Sequence, residues 1–113
     1  MRFSGLTVTN RSADEACGEL CVPTDEPFFA GHFPSYPLVP GVVLIDAAVQ
    51  VASACEEQPR RLCSLSEARF YDEVRPEDRV FVRVVRNGAM FDADVRRGDK
   101  LCATMSFLLE AVP

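Results

Sequence analysis

Three kinds of hydrophobic pattern divide the chain. Gly5 to Thr9 and Cys17 to Val22 carry short β-type runs separated by the polar turn Asn10 to Glu15, which predicts an opening pair of strands. Prolines then accumulate between Pro23 and Pro40. Each fixes its own φ and pushes its predecessor toward extended backbone, so a stiff loop is expected there. From Val42 to Cys55 the residues are apolar apart from Asp46, Gln50 and Ser53. A helix that is apolar nearly all round is expected to be buried. Pro40 suits the first helical position and Pro59 bounds the far end, which predicts limits of about Pro40 to Glu57.

The second half alternates with a period of two. Val80, Val82 and Val84 share one face, then Phe91, Ala93 and Val95, then Leu101, Ala103, Met105 and Phe107. Asn87-Gly88 and Arg97-Gly98-Asp99 fall between these runs as hairpin turns, and Leu65 to Tyr71 adds a strand before the turn Pro76-Glu77-Asp78. The fold class expected is α+β, an antiparallel sheet interrupted in order by one long buried helix that the sheet can wrap. The 113 residues are read as one domain, 1–113.

Composition narrows the function. With 48% apolar and 26% charged residues the chain resembles an ordinary globular protein. Its longest apolar run is too short and too interrupted to span a bilayer, and Met1 to Asn10 lacks the apolar core of a signal peptide, so a cytoplasmic protein without membrane association is expected. A net charge of −5 argues against nucleic-acid binding, which requires a basic surface. The basic clusters Arg60-Arg61 and Arg96-Arg97 with Lys100 are expected to be solvated surface rather than an anion site. Five cysteines cannot all pair and none forms CxxC, so reduced, mostly buried thiols and no metal site are expected.

Four residues carry candidate chemistry. His32 is the chain's one histidine and thus its one ready base near neutral pH, although a lone loop histidine can also be an idle hydrogen-bonding group. Asp46 lies two turns into the apolar helix, where burial would favour an uncharged carboxyl group able to act as an acid, or where it could be a satisfied structural group. Gln50, four residues later, is placed to hold it. Gly41 follows Pro40 at the helix start, where unpaired N–H groups and the positive dipole end could polarise a carbonyl, or where glycine merely permits a tight turn. Together they would supply a base, an acid and a donor site for an oxyanion, the parts of an acid–base mechanism beside a carbonyl. GxSxG, a phosphate-cradling glycine loop and a metal-ligand cluster are absent from the sequence.

The run Glu26-Pro27-Phe28-Phe29-Ala30-Gly31-His32-Phe33-Pro34, then Pro37-Leu38-Val39-Pro40-Gly41-Val42, then Asp46-Ala47 and Gln50, resembles the 3-hydroxyacyl-acyl-carrier-protein dehydratases of type II fatty-acid synthesis. Weaker similarity continues through Glu67-Ala68-Arg69-Phe70 and Arg75-Pro76-Glu77-Asp78 to the last strand. The resemblance implies a hotdog fold, with the sheet wrapped round the central helix, and a homodimer or dimer-based oligomer with its sites between subunits. It implies that His32 of one chain takes the C2 proton while Asp46 of the other protonates the departing C3 hydroxyl. Gly41 N–H would hold the thioester carbonyl, the Leu38 carbonyl would orient His32, Gln50 would steady Asp46, and Phe33 would contact substrate. An acyl carrier protein bearing a phosphopantetheine-linked substrate is the implied partner, and no cofactor or metal is implied. Aspartate at 46 resembles the branch that also isomerises the double bond, whereas the dehydratase-only branch usually has glutamate.

Two other readings compete. The same scaffold can carry a thioesterase, distinguished by free thiol release. A non-catalytic acyl-binding or partner subunit would need a second hotdog chain for activity. Polyketide or aryl-polyene synthesis is an alternative setting for the same dehydration.

Overall fold

In the computed structural model, which describes residues 5–26 and 38–113, six strands and one helix follow the order β1 (Leu6–Arg11), β2 (Glu15–Cys21), α1 (Gly41–Ser53), β3 (Arg60–Phe70), β4 (Arg79–Asn87), β5 (Met90–Arg97) and β6 (Lys100–Ala111). The strands form one sheet in the order β1-β2-β4-β5-β6-β3, and every paired neighbour is antiparallel. The helix carries the chain from β2 to β3, which closes the far edge beside β6. This is the expected α+β hotdog arrangement, with α1 packed on the face of the sheet that carries the core.

The alternation in β2, β4 and β5 produces that face directly, because every second residue of each strand is buried. Leu20, Val80, Val82, Val84, Val95 and Phe107 meet Val43, Leu44, Ala47, Ala48, Val51 and Ala52 of the helix. Each fully buried Val, Leu or Phe side chain contributes about 1.5–3 kcal/mol against its exposed state. Phe91 and Phe107 stack with ring centroids 6.0 Å apart, and the Arg86 guanidinium lies 4.7 Å from the Phe91 centroid. Gly18 lets the helix come close: a Cβ there would stand 2.8 Å from Val51 Cγ2 and 3.2 Å from the Thr7 carbonyl oxygen.

Several boundaries differ from the sequence expectation. The helix ends at Ser53 instead of Glu57. The next amides bond three residues back, Cys55 N–H to Ala52 and Glu56 N–H to Ser53, and turn the chain out of the helix. Strand β3 begins at Arg60, five residues before Leu65. Its register shifts between Leu62 and Ser64 and again between Leu65 and Glu67, which breaks the alternation that would have marked it. In the hairpins, Asn87 pairs with Met90 and Arg97 with Lys100, leaving Gly88-Ala89 and Gly98-Asp99 as the loops.

Helix α1 is not buried all round. Val42 is 55% exposed, Gln50 is exposed, and Ile45, Asp46 and Ser53 are half-buried, because the sheet covers one side of the helix and the other side stays open. The cysteines depart from expectation too. All five are free, but only Cys102 is buried; Cys63 is exposed on β3, and Cys17 and Cys21 occupy the half-buried positions of β2.

Candidate active site

Two cavities border α1. The first is a groove of about 560 Å³ between the open face of the helix and the start of β3, lined by Val42, Ile45, Asp46, Val49, Gln50, Ser53, Arg60, Arg61 and Leu62. Within it Gln50 Nε2 donates to Asp46 Oδ2 at 2.8 Å, the contact that the four-residue spacing predicts. Asp46 is half-buried rather than fully buried; among the described residues the helix and the first residues of β3 border its groove.

The second cavity, about 650 Å³, lies at the helix N-terminus and is lined by Leu38, Val39, Gly41, Leu44, Phe70, Tyr71, Asp72, Glu73 and Val74. Pro40 caps the helix with extended backbone and makes no side-chain cap, so Gly41 is the first helical residue. Its N–H therefore belongs to the set that has no partner within the helix. The Phe70 ring stands over it, with Cζ only 2.8 Å from where a Gly41 Cβ would be. Val39 N–H donates to the Val74 carbonyl at 2.8 Å, which fixes the approach to the helix against the chain between β3 and β4.

Asp46 with Gln50, and Leu38 with Gly41, are thus brought together in pairs, but the two pairs line different cavities. Asp46 follows Gly41 by five residues, about 7.5 Å along the axis and 140° round it. His32 and Phe33 lie outside the described residues.

The basic clusters are engaged in ion pairs. Arg61 Nε lies 2.6 Å from Glu110, Arg60 Nη2 3.8 Å from Glu56, Arg96 Nε 3.0 Å from Asp94 and Arg97 Nη2 2.6 Å from Asp72. The hydrogen bond from Arg97 holds the Asp72 carboxyl below the usual carboxylate range. Beside the groove, Cys63 is raised above the ordinary thiol range, chiefly by its hydrogen bond with Glu110. Among the described residues no group of three or more His, Cys, Asp or Glu could hold a metal ion, and no helix is long and apolar enough to cross a membrane.

The sequence reading did not single out Phe70 as the cover of Gly41 or Leu62 as a wall beside Asp46. The exposed apolar residues on β3 could have signalled both. Leu62, Leu65 and Phe70 are 38%, 39% and 50% exposed. Leu62, Leu65 and Phe70 pair with Leu109, Phe107 and Ala103 of β6, and so follow the sheet face that carries the core.

A family model for ApeI-like proteins, described as ApeI dehydratase, matches residues 8–105. The 3-hydroxyacyl-[acyl-carrier-protein] dehydratase FabZ of Clostridioides difficile strain 630 is 37% identical over 98 residues, covering 76% of this chain and 69% of that protein. The dehydratase FabZ of Caulobacter vibrioides strain NA1000 is 35% identical over 104 residues, covering 80% of this chain and 65% of that protein. The chain thus spans about two thirds of the length of these relatives. Among solved structures, the dehydratase heterocomplex ApeI:P from Xenorhabdus doucetiae superposes with a TM-score of 0.81 at 20% identity, covering 96% of this chain and 98% of that one, a likeness of fold. The match along 8–105, joined to identities above one third with FabZ proteins and to a hotdog sheet wrapped on one helix, makes this chain a member of the ApeI-like dehydratase family of hydro-lyases.

Proposed function

We propose that the protein eliminates water from a 3-hydroxyacyl thioester borne on the phosphopantetheine arm of an acyl carrier protein, giving the trans-2-enoyl thioester. His32 takes the C2 proton and its electron pair forms the C2–C3 double bond. The C3–O bond breaks as Asp46 gives its proton to the hydroxyl, which leaves as water. The Gly41 N–H stabilises the enolate-like charge on the thioester oxygen, Leu38 orients His32, Phe33 contacts the acyl group, and Gln50 holds the Asp46 carboxyl for transfer.

One observation supports this reading above others: the Asp46–Gln50 pair and Gly41 line separate cavities on the same helix, which suits a site assembled from two chains. A second copy of the chain is the proposed supplier, its Asp46 facing the first copy's His32 and Gly41. The edge of β3, which pairs with no further strand among the described residues, and exposed Val42, Leu62 and Leu65 offer surface for that contact.

The test is a panel of short, long and aryl-bearing 3-hydroxyacyl thioesters, scored by mass for enoyl product, double-bond migration and free thiol. Dehydration by the purified protein, lost in His32→Ala and Asp46→Asn while the fold persists, is the expected result. Free thiol without enoyl product would mean a thioesterase. Activity only after addition of a second hotdog chain would mean a partner subunit.

A further inference from the structure

The groove that holds Asp46 changes character along its length. Val42, Ile45, Asp46, Val49, Gln50 and Ser53 follow one another at helical spacing and form one wall. Beyond Gln50 that wall turns polar. Ser53, the last residue of α1, meets Arg60 at the start of β3, where Ser53 Oγ donates to the Arg60 carbonyl at 3.4 Å. Ser53 lies seven residues past Asp46, about 10 Å along the helix axis.

Arg60 and Arg61 both line this end, but they differ in what holds them. Arg61 Nε is 2.6 Å from Glu110, a charge-assisted hydrogen bond. Arg60 Nη2 faces Glu56 at 3.8 Å, beyond hydrogen-bond reach. The other oxygen of Glu56 accepts from Arg86 Nη2 at 3.2 Å, and Arg86 is fixed in turn by its Nε bond to the Ala13 carbonyl at 2.9 Å and by the Phe91 ring. One carboxylate is thus shared between two guanidinium groups. Arg60 Nε is buried with no hydrogen-bond partner among the described residues, while the side chain as a whole keeps 31% of its surface exposed. Buried donors are nearly always matched, so an orphan beside a cavity calls for an acceptor from outside the chain.

We propose that Arg60 reads the far end of the acyl chain: the groove takes 3-hydroxyacyl thioesters whose chain ends in a carboxylate rather than a methyl group. This rests on the proposed dehydration, in which C3 lies at Asp46 and the thioester turns to a Gly41 that lines the other cavity, leaving the stretch from Asp46 to Arg60 for the acyl chain. A methyl terminus at Arg60 would displace water from a guanidinium and leave its donors unmatched, whereas a carboxylate can accept two of them side by side. Val49 and Leu62 flank the methylene groups between. Repulsion from Asp46 is weak, because about 10 Å is a Debye length at ordinary ionic strength.

The test uses matched thioesters, 3-hydroxydecanoyl against 3-hydroxysebacyl and 3-hydroxydodecanoyl against its ω-carboxy counterpart, each on pantetheine and on phosphopantetheine. Binding is read by titration calorimetry and enoyl product by mass. Wild type should bind the carboxylate-ended member about tenfold more tightly, and the ratio should narrow as salt is raised. Arg60→Leu should bring the ratio within about twofold; Arg60→Gln, the milder removal of the charge, gives the same reading should the leucine variant not fold. Equal or tighter binding of the methyl-ended member at both lengths, or a ratio that survives loss of the arginine, would overturn the proposal. So would an effect of Arg60 confined to the phosphopantetheine thioesters, which would assign it to the phosphate of the arm. Because the ratio is a binding quantity, the two readings fail separately. A carboxylate preference without enoyl product from any thioester defeats the dehydration, whereas enoyl product without the preference defeats the role of Arg60 alone.

Discussion

Gly41→Ala should separate stability from turnover. The new Cβ would stand 2.8 Å from Phe70 Cζ, against about 3.4 Å for an ordinary contact, so the ring must retreat by about 0.6 Å. Phe70 is half exposed and can yield, at a cost of about 0.5–1.5 kcal/mol if its rotamer is pushed. Against this, replacing glycine by alanine in helical backbone stabilises by about 0.4–1 kcal/mol. The net change in stability should lie within about 1 kcal/mol, or roughly 4 °C in melting temperature for a domain of this size. Turnover should behave differently, since the methyl group projects into the cavity where the thioester carbonyl is proposed to meet the Gly41 N–H. A displacement there of about 1 Å costs about a hundredfold in rate, equivalent to about 2.7 kcal/mol in the barrier. Thermal melts and enoyl-product kinetics on the same preparation measure both quantities. Adding Phe70→Ala should relieve the crowding without restoring the rate. Wild-type kcat/KM in Gly41→Ala would refute the donor assignment, and a fall of more than about 10 °C would refute the argument that Phe70 yields.

Gly18→Ala makes the contrasting case, because its Cβ would press on Val51, which is 0% exposed, and on the Thr7 backbone; a loss of about 1–3 kcal/mol is expected from the urea midpoint, partly recovered by Val51→Ala. The Asp92 carboxyl is held below the ordinary range by Ser106 Oγ at 2.7 Å and then by Asn87 Nδ2 at 2.9 Å, so its ionised form stabilises the fold above about pH 4 and that contribution is lost as pH falls through the depressed folded value. Melting temperatures of Ser106→Ala should accordingly trail wild type at neutral pH, with the gap narrowing on acidification; a gap that stays constant with pH would contradict this. Leu65→Lys, placed on the core-bearing face of the β3 edge, should shift sedimentation toward the monomer and reduce turnover with it, whereas an unchanged assembly would exclude this surface from the contact.

The later strands are legible because each buries one face completely: Val80, Val82 and Val84 are at most 1% exposed and alternate with exposed residues. Strand β3 is not legible in the same way. It is an edge strand with two register shifts, and its apolar residues Leu62 and Leu65 are partly exposed in the single chain, so Arg60 to Ser64 carries no alternation to read. The far end of the helix is overestimated because Ala54 and Cys55 continue to pack on the core after the helix has ended. Apolar content reports burial, and burial outlasts the element.

The same distinction explains the site. A run in which Val42 and Val43 look alike is split by the structure into a residue 55% exposed and one 0% exposed, because one sheet can cover only one side of a helix. Sequence pattern registers that both sides are apolar without saying which chain covers the second. Asp46 stands out in the sequence as an acid among aliphatic residues, but among the described residues it is half-buried on the open side of the helix. Gly41 and Asp46 are close in sequence yet line different cavities, so proximity along the chain is a poor guide to which groups share a cavity. The apolar surplus on α1 and β3 and the division of the lining between two cavities are the two features that the proposed second copy of the chain accounts for together.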